Sequence, residues 1–214
     1  MNIALIGYGK MGHIIESVAL ARGHRIVCRL DGDWQLSDLS EADIAIEFTV
    51  PSAAASNIRR AVQAGLPVVS GTTGWDVQAL RDEMPDATII WSSNFSIGVN
   101  ILFAVNQYLA RLMQRIGGYT PSILEVHHIH KLDQPSGTAK SLAEQIDGDV
   151  PIQSVREGEV PGIHEISWQS DADILSLRHE AKSRQGFALG AVLAAEWLIS
   201  HHGWHTMTEV MEQL

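Results

Sequence analysis

Apolar residues follow two rhythms along the chain. Over the first hundred residues, short apolar runs alternate with longer amphipathic stretches. Residues 3–6 read as a buried strand and 11–22 as a helix that Gly23 closes at its C-cap. Residues 25–30 form the second strand and 42–49 the third. Pro51 suits the first turn of a helix that runs to Gly65. Strands follow at 66–70 and 87–91, with a helix over 76–83. Strands and helices alternating at these lengths predict a parallel sheet wound right-handedly, the Rossmann-type α/β class.

The rhythm changes near Ser96. A long apolar helix spans about 100–115 and stops at Gly117-Gly118. From Ile123 the order is no longer strand–helix–strand. A strand runs over 125–130 and a helix over 138–146, then strands and turns occupy 148–152, 158–162, 164–168 and 173–179. Few helices and several strands predict an α+β unit with an open mixed sheet. A helix rich in Ala and Leu over 187–199 suits packing back on the first unit, and 204–214 closes the chain as a short helix. The expected division is therefore residues 1–97 with 188–214 as a dinucleotide-binding domain, and 98–187 as a substrate-binding and oligomerisation domain.

Composition narrows the function. The 214 residues are 45% apolar, enough for packed cores, with no run long enough to span a bilayer. The first residues lead straight into a glycine turn and read as a strand rather than a signal peptide. A single cysteine, Cys28, fits a reducing compartment, so the expected location is cytoplasmic. The net charge of −10 argues against a nucleic-acid surface. A site for an anion must then gather its cations locally.

Two stretches carry chemistry. The first is Gly7-Tyr-Gly-Lys-Met-Gly12, between a strand and a helix. Gly7 permits a tight turn, Gly9 lets backbone approach a pyrophosphate, and Gly12 lets helix and strand pack closely. Asp31 follows the second strand, where an acid accepts hydrogen bonds from ribose hydroxyls. Asp31-Gly32-Asp33 offers two carboxylates and no arginine, which favours NADH over NADPH, although Arg29 and Lys10 could soften that preference. At the carboxyl ends of later strands, Phe48-Thr49, Gly71-Thr72-Thr73 and Ser92-Ser93-Asn94-Phe95 suit a nicotinamide and its ribose.

The second is Glu125-Val-His-His-Ile-His-Lys-Leu-Asp-Gln-Pro-Ser-Gly-Thr-Ala-Lys140, with three histidines and a lysine in five residues. As a strand it places Glu125, His127 and Ile129 on one face, and Val126, His128 and His130 on the other. Asp133 to Gly137 reads as a turn, and Ser136 or Thr138 can cap the helix beyond. A strand of proton donors thus runs into a helix N-terminus that attracts an anion. His128 and His130 share a face and could bind zinc, but no third ligand accompanies them, so no metal is expected.

This second stretch resembles the 4-hydroxy-tetrahydrodipicolinate (dihydrodipicolinate) reductases of lysine and diaminopimelate biosynthesis, whose signature is close to E-x-H-H-x-x-K-x-D-x-P-S-G-T-A. The glycine loop, Ile46-Glu-Phe-Thr49, Ser70-Gly-Thr-Thr-Gly74, Ser93-Asn-Phe-Ser96, His179-Glu-Ala-Lys-Ser-Arg184 and Phe187-Ala-Leu-Gly190 look like that family in the same order. The resemblance implies an NADH- or NADPH-dependent oxidoreductase acting on a small cyclic dicarboxylate. It makes His127 the acid/base, Lys131 the proton donor and His128 a substrate contact. Ser136, Gly137 and Thr138 would hold a substrate carboxylate. Gly7, Tyr8, Gly9, Lys10, Met11, Asp31, Gly71, Thr72, Thr73, Ser92, Ser93, Asn94 and Phe95 would line the dinucleotide. It also implies a homotetramer built through the second unit's sheet. The glycine loop is shorter than in many members, Gly32 stands where some place an arginine, and the chain is short after Leu30 and after Asp147. A Rossmann dehydrogenase such as an aspartate dehydrogenase, or a non-catalytic nucleotide sensor, is the competing reading.

Overall fold

A computed structural model describes residues 1–213. The chain forms two units, Met1–Ile97 with the residues from Gln185 onward, and Gly98–Arg184.

The first unit is an α/β layer structure. Strands β1 (Asn2–Ile6), β2 (Arg25–Leu30), β3 (Ile44–Glu47), β4 (Val68–Ser70) and β5 (Ile89–Trp91) make a parallel sheet. Helices α1 (Lys10–Ala21), α2 (Pro51–Gln63) and α3 (Val77–Glu83) alternate with them. Strand residues point alternately to opposite faces, so the sheet builds two cores. Ile3, Leu5, Ile44 and Ile46 pack with Ile15 and Ala19 of α1 and with Ala191 and Ala195 of the returning helix. Ala4, Ile6, Ala45 and Val68 pack on the other face with Ile58, Ala61 and Leu80.

Two features of this unit escape the hydrophobic pattern. A short 3-10 turn, Leu36–Leu39, buries Leu39 beneath α2. The segment expected as a terminal helix from residue 204 begins instead as a sixth strand, which completes the sheet in the order 204–205, β5, β4, β3, β1, β2. Trp204 pairs with Ile89 and donates its indole N–H to Met84 O at 2.9 Å. A two-residue strand has no periodicity to read, and the helix starts only at Met207, after Glu209 accepts from the Thr206 N–H at 2.7 Å. Leu214, the end of the expected helix, lies outside the described residues.

In the second unit, α4 (Ile97–Ile116) leads into β6 (Thr120–His127), α5 (Gly137–Glu144), β7 (Ile152–Arg156), β8 (Ile163–Gln169) and β9 (Ile174–Glu180). The four strands order as β7-β6-β8-β9, with β6 and β7 parallel and the other pairs antiparallel. The return to the first unit comes at Gln185, where α6 (Gln185–Leu198) begins, rather than at 188. Gly190 of α6 is obligatory: a Cβ there would lie 1.8 Å from Phe95 O.

Register explains how this sheet carries chemistry. Ile123 faces Ile166, and Pro121 faces Trp168, over Leu102, Met113, Ala139 and Leu142 of the two helices. One pleat further along the same face, Ser154, Glu125, His164 and His179 are paired in a row across all four strands. The next pair is Arg156 beside His127. The apolar face of the sheet therefore becomes a polar, titratable face toward one end. Among the described residues, no helix is long and apolar enough to cross a membrane.

Candidate active site

In the first unit, Gly7, Gly9 and Gly12 stand at the full G-x-G-x-x-G spacing, so the glycine loop is not short, contrary to the expectation above. Gly7 has φ +93°, and a Cβ there would fall 2.1 Å from Phe48 O; one on Gly12 would fall 2.5 Å from Gly7 O. A Cβ on Gly9 would meet nothing within 4 Å, so that side of the turn is open. Gly9 is also the N-cap of α1 and contributes no side-chain cap. The first-turn N–H groups are thereby left for an anion. The turn opens on a cleft of about 370 Å³ lined by Tyr8, Asp31, Gly32, Phe48, Thr49 and Asn57 among others. Asp31 is exposed on its lip, directly after β2. These residues fit a dinucleotide: a backbone cradle, a helix tip for phosphate and a carboxylate for ribose.

The remaining expected cofactor residues divide. Lys10, Thr73 and Ser93 are exposed, and Tyr8, Met11, Gly71, Ser92 and Asn94 are half-buried. Thr72 is buried, and its hydroxyl donates to Glu47 Oε1 at 2.8 Å and accepts from the Thr49 N–H at 2.8 Å. Its carbonyl accepts from Trp75 and Trp91. Thr72 thus spends its hydroxyl on shaping the loop. Phe95 is likewise a core residue, 2% exposed and 5.8 Å from the Phe48 ring. Ser92 Oγ accepts from the Asn94 N–H at 3.1 Å, folding the turn on itself. Glu47, with no expected role, is the buried hub: it holds Ser70 at 2.6 Å as well as Thr49 and Thr72. Arg29 is tied to Glu16 of α1, which also accepts from the Tyr8 hydroxyl.

In the second unit, β6 ends at His127, where the Glu157 N–H donates to His127 O at 2.8 Å. His128 and His130 therefore lie beyond the strand, in a turn closed by the Lys131 N–H to His128 O at 3.1 Å, and the two-face pattern expected through residue 130 does not extend that far. Their rings stand 6.1 Å apart; His130 pairs with Glu159 at 3.3 Å and is exposed. Ser136, not Thr138, caps α5: its hydroxyl accepts from the Ala139 N–H at 3.2 Å, and the helix begins at Gly137. Ser136 is buried and also lies 3.3 Å from His164 Nε2, so its hydroxyl belongs to the helix cap rather than to open solvent. Gly137 is exposed at the tip, with nothing within 4 Å of a Cβ position.

Glu125, His127 and His164 form a buried cluster. Glu125 Oε2 is 2.6 Å from His127 Nδ1. Its other oxygen accepts from the Ser136 N–H at 3.2 Å and from Arg156 at 3.1 Å. Burial pushes the Glu125 carboxyl up, but hydrogen bonds from Ser136, Ser154 and Arg156 outweigh it and bring the pKa to about 2. Burial holds His127 below the usual imidazole range, against the pull of Glu125 and with the help of Lys131 and Arg156. Burial, then the neighbouring His127, takes His164 down to about 4. Both rings are thus neutral at pH 7 and meet edge-on, 5.0 Å between centroids. Lys131 Nζ lies 2.6 Å from Asp133 Oδ1.

The three ligand atoms of this cluster lie within 4.8 Å of one another, a set that could hold an ion. The 2.6 Å between oxygen and Nδ1 is closer than two ligands of one ion stand, however. Ligands on a tetrahedral zinc stand about 3.3 Å apart, given bonds of about 2.0–2.1 Å. Arg156 already neutralises the same carboxylate. The geometry suits proton handling. Gly162 (φ +154°) keeps room beside the ring, because a Cβ there would stand 3.1 Å from His127 Nε2.

Sequence reasoning gave no role to Glu125, Arg156 or His164. His164 does leave a signal: it alternates with Ile166 and Trp168 on the buried face of its strand, where an imidazole needs a reason. Arg156 leaves none, since its partners are 23 to 31 residues away in sequence.

Comparison with known proteins identifies the family. The family model described as dihydrodipicolinate reductase, N-terminus, matches residues 1–95, and that described as its C-terminus matches 98–211. A 4-hydroxy-tetrahydrodipicolinate reductase of Christiangramia forsetii is 46% identical, over 100% of this chain and 99% of its own. One from Archaeoglobus fulgidus is 31% identical over 99% and 100%. A dipicolinate-bound dihydrodipicolinate reductase from Paenisporosarcina sp. TG-14 shares the fold with a TM-score of 0.79, at 21% identity over 96% of this chain and 97% of that one.

Proposed function

Because the chain belongs to the dihydrodipicolinate reductase family, we propose that its two units divide the labour of one reduction, the first binding the dinucleotide and the second the dicarboxylate and the proton donors. The enzyme is an NAD(P)H-dependent oxidoreductase that converts 4-hydroxy-tetrahydrodipicolinate to tetrahydrodipicolinate in lysine and diaminopimelate biosynthesis. The bound dinucleotide supplies a hydride. The balance is one hydride and one proton added to the ring, one water lost, and an oxidised nicotinamide released. The competing readings, an aspartate dehydrogenase or a nucleotide sensor, have no need of the His127-His128-Lys131 group beside a capped helix tip.

The observation that carries the assignment of roles is the geometry around α5. Its first turn carries a partial positive charge that attracts an anion, and the Asp133 carboxylate, pushed up by burial but held low by Lys131 and by the Gly137 N–H, sits there in the absence of substrate. A substrate carboxylate bound there lies beside Lys131 and His127. The Lys131 ammonium delivers the proton, and His127 Nε2 relays it or restores it, its Nδ1 being engaged by Glu125. His128, half-buried just past the strand, contacts the second carboxylate. The dicarboxylate thus meets its cations in a chain that is acidic overall, which steers the anion to one place.

The cofactor is NADH in preference to NADPH. Asp31 lines the dinucleotide cleft, Asp33 is exposed two residues on, and Arg29, the nearest cation on β2, is committed to Glu16. A 2′-phosphate there meets carboxylates without a free guanidinium. The enzyme is cytoplasmic and works as a homotetramer through the open face of the four-stranded sheet, whose edge strand β9 exposes Ile174 and Leu175.

A coupled assay tests both reaction and cofactor. Aspartate semialdehyde and pyruvate are condensed by the preceding synthase, and nicotinamide absorbance is followed with each cofactor. Turnover with NADH at least equal to that with NADPH is expected, and Asp31→Ala should narrow the difference by removing a charge worth roughly 1 kcal/mol of discrimination, or several-fold. No nicotinamide oxidation with either cofactor would refute the reaction; a clear NADPH preference would refute the reading of Asp31.

A further inference from the structure

We propose that the buried Glu125–Arg156 pair is the positioning device of the proton-transfer site: Glu125 fixes the imidazole of His127, and Arg156 fixes the backbone that carries Lys131. The proposal rests on the roles given above to His127 and Lys131.

The pair joins three elements. Glu125 lies in β6, 0% exposed, and its two oxygens are divided. One faces His127 Nδ1 at 2.6 Å. The other takes the Ser136 N–H at 3.2 Å, which anchors the cap of α5, and Arg156 Nη2 at 3.1 Å. Arg156, at the end of β7, spends its remaining donors on main chain. Nε reaches Lys131 O at 3.2 Å, Nη1 reaches Val155 O at 2.8 Å, and Nη2 reaches Asp133 O at 2.5 Å. A planar guanidinium can span these directions at once, whereas an ammonium cannot. The turn that holds Lys131 is otherwise exposed, and Leu132 in it is 97% exposed. Without Arg156, few contacts would determine where the Lys131 backbone lies.

The chemical consequence follows from the ring. The contact is short but off the line of a hydrogen bond, so the carboxylate acts on the ring by charge: at 2.6 Å it favours a proton on Nδ1 and leaves Nε2 as the working nitrogen, beside Gly162. The groups facing His127 are Glu125 on its own strand, Arg156 on β7, His164 on β8 and Lys131 on the loop, while His179 on β9 faces His164. Glu125 is the only carboxylate among them. Its charge raises the proton affinity of His127 against burial and two cations. Replacing it with a neutral isostere should move the His127 titration to lower pH. A residue that merely fills space would leave that titration where it is.

The test uses Glu125→Gln and Arg156→Lys in the full-length protein, with two readouts. Imidazole ¹⁵N NMR of the free protein reports the His127 tautomer and titration midpoint and does not depend on turnover. The coupled assay reports kcat, KM and pH profile. Wild-type protein should show His127 with the proton on Nδ1. Glu125→Gln should lower its midpoint and lower kcat about a hundredfold, within the usual range for general acid–base groups. Arg156→Lys keeps the charge, and should lower kcat by about tenfold to a hundredfold while dinucleotide affinity stays unchanged, as expected for an ångström-scale misplacement. If Glu125→Gln does not fold, the wild-type tautomer and the Arg156→Lys kinetics still decide. A wild-type His127 with its proton on Nε2, an unmoved midpoint in Glu125→Gln, or wild-type kcat in Arg156→Lys would overturn the proposal. If instead the NMR results hold and the reductase assay is silent, the positioning pair stands and the assigned reaction falls.

Discussion

Lys131→Ala and His127→Ala should each lower kcat by about 10²–10⁴-fold, the usual worth of a positioned proton donor or acceptor. Dinucleotide binding, measured by titration, should be unchanged, because the glycine turn and Asp31 belong to the other unit. The effect of removing Lys131 should be seen mainly in kcat if its ammonium acts on the charge that develops during the reaction, and in KM if it only holds a carboxylate. The neighbour Asp133, 2.6 Å from Lys131 Nζ, is itself exposed, so the contact is open to exchange when substrate arrives. Wild-type turnover in both variants would remove these residues from the chemistry.

The second large effect concerns the glycine turn, where two neighbouring glycines should behave oppositely. Gly7→Ala places a Cβ 2.1 Å from Phe48 O at a φ of +93°. Backbone strain of about 1–3 kcal/mol and a steric conflict that only main-chain movement can relieve should together cost several kcal/mol. The variant should unfold at much lower denaturant and lose dinucleotide binding. Gly9→Ala meets nothing within 4 Å and has no positive φ, so its stability should change by less than about 1 kcal/mol. Its methyl group would instead occupy the approach to the N-terminus of α1, and dinucleotide affinity should fall at least tenfold. Denaturant midpoints and nucleotide titrations on the two variants separate folding from binding. Equal stability losses in both would contradict this division.

These contrasts show what could be read from the sequence and what could not. The parallel sheet was legible because its strands are short apolar runs, most of them alternating with helices. The glycine turn was legible because its three glycines fall within six residues. So was the local layout from His127 to Thr138, where strand end, turn and helix cap follow one another. What stayed hidden depends on register. Ser154, Glu125, His164 and His179 form one row only because four strands align in the order β7-β6-β8-β9. Arg156 reaches the Lys131 turn from a strand 25 residues later. The packing of Thr72 and Phe95 was hidden too: both sit in polar loops at strand ends, yet Thr72 turns its hydroxyl to the buried Glu47, and Phe95 packs into the core. No local pattern distinguishes a threonine serving a loop from one serving a ligand.

The most direct measurement is a crystal structure of the protein with dipicolinate and reduced dinucleotide bound. One ligand carboxylate should lie within hydrogen-bond distance, about 2.7–3.2 Å, of the backbone nitrogens of Gly137 and Thr138, with Lys131 Nζ and His127 Nε2 facing the ring. A dicarboxylate bound away from the α5 tip, with Lys131 and His127 turned from it, would contradict the account.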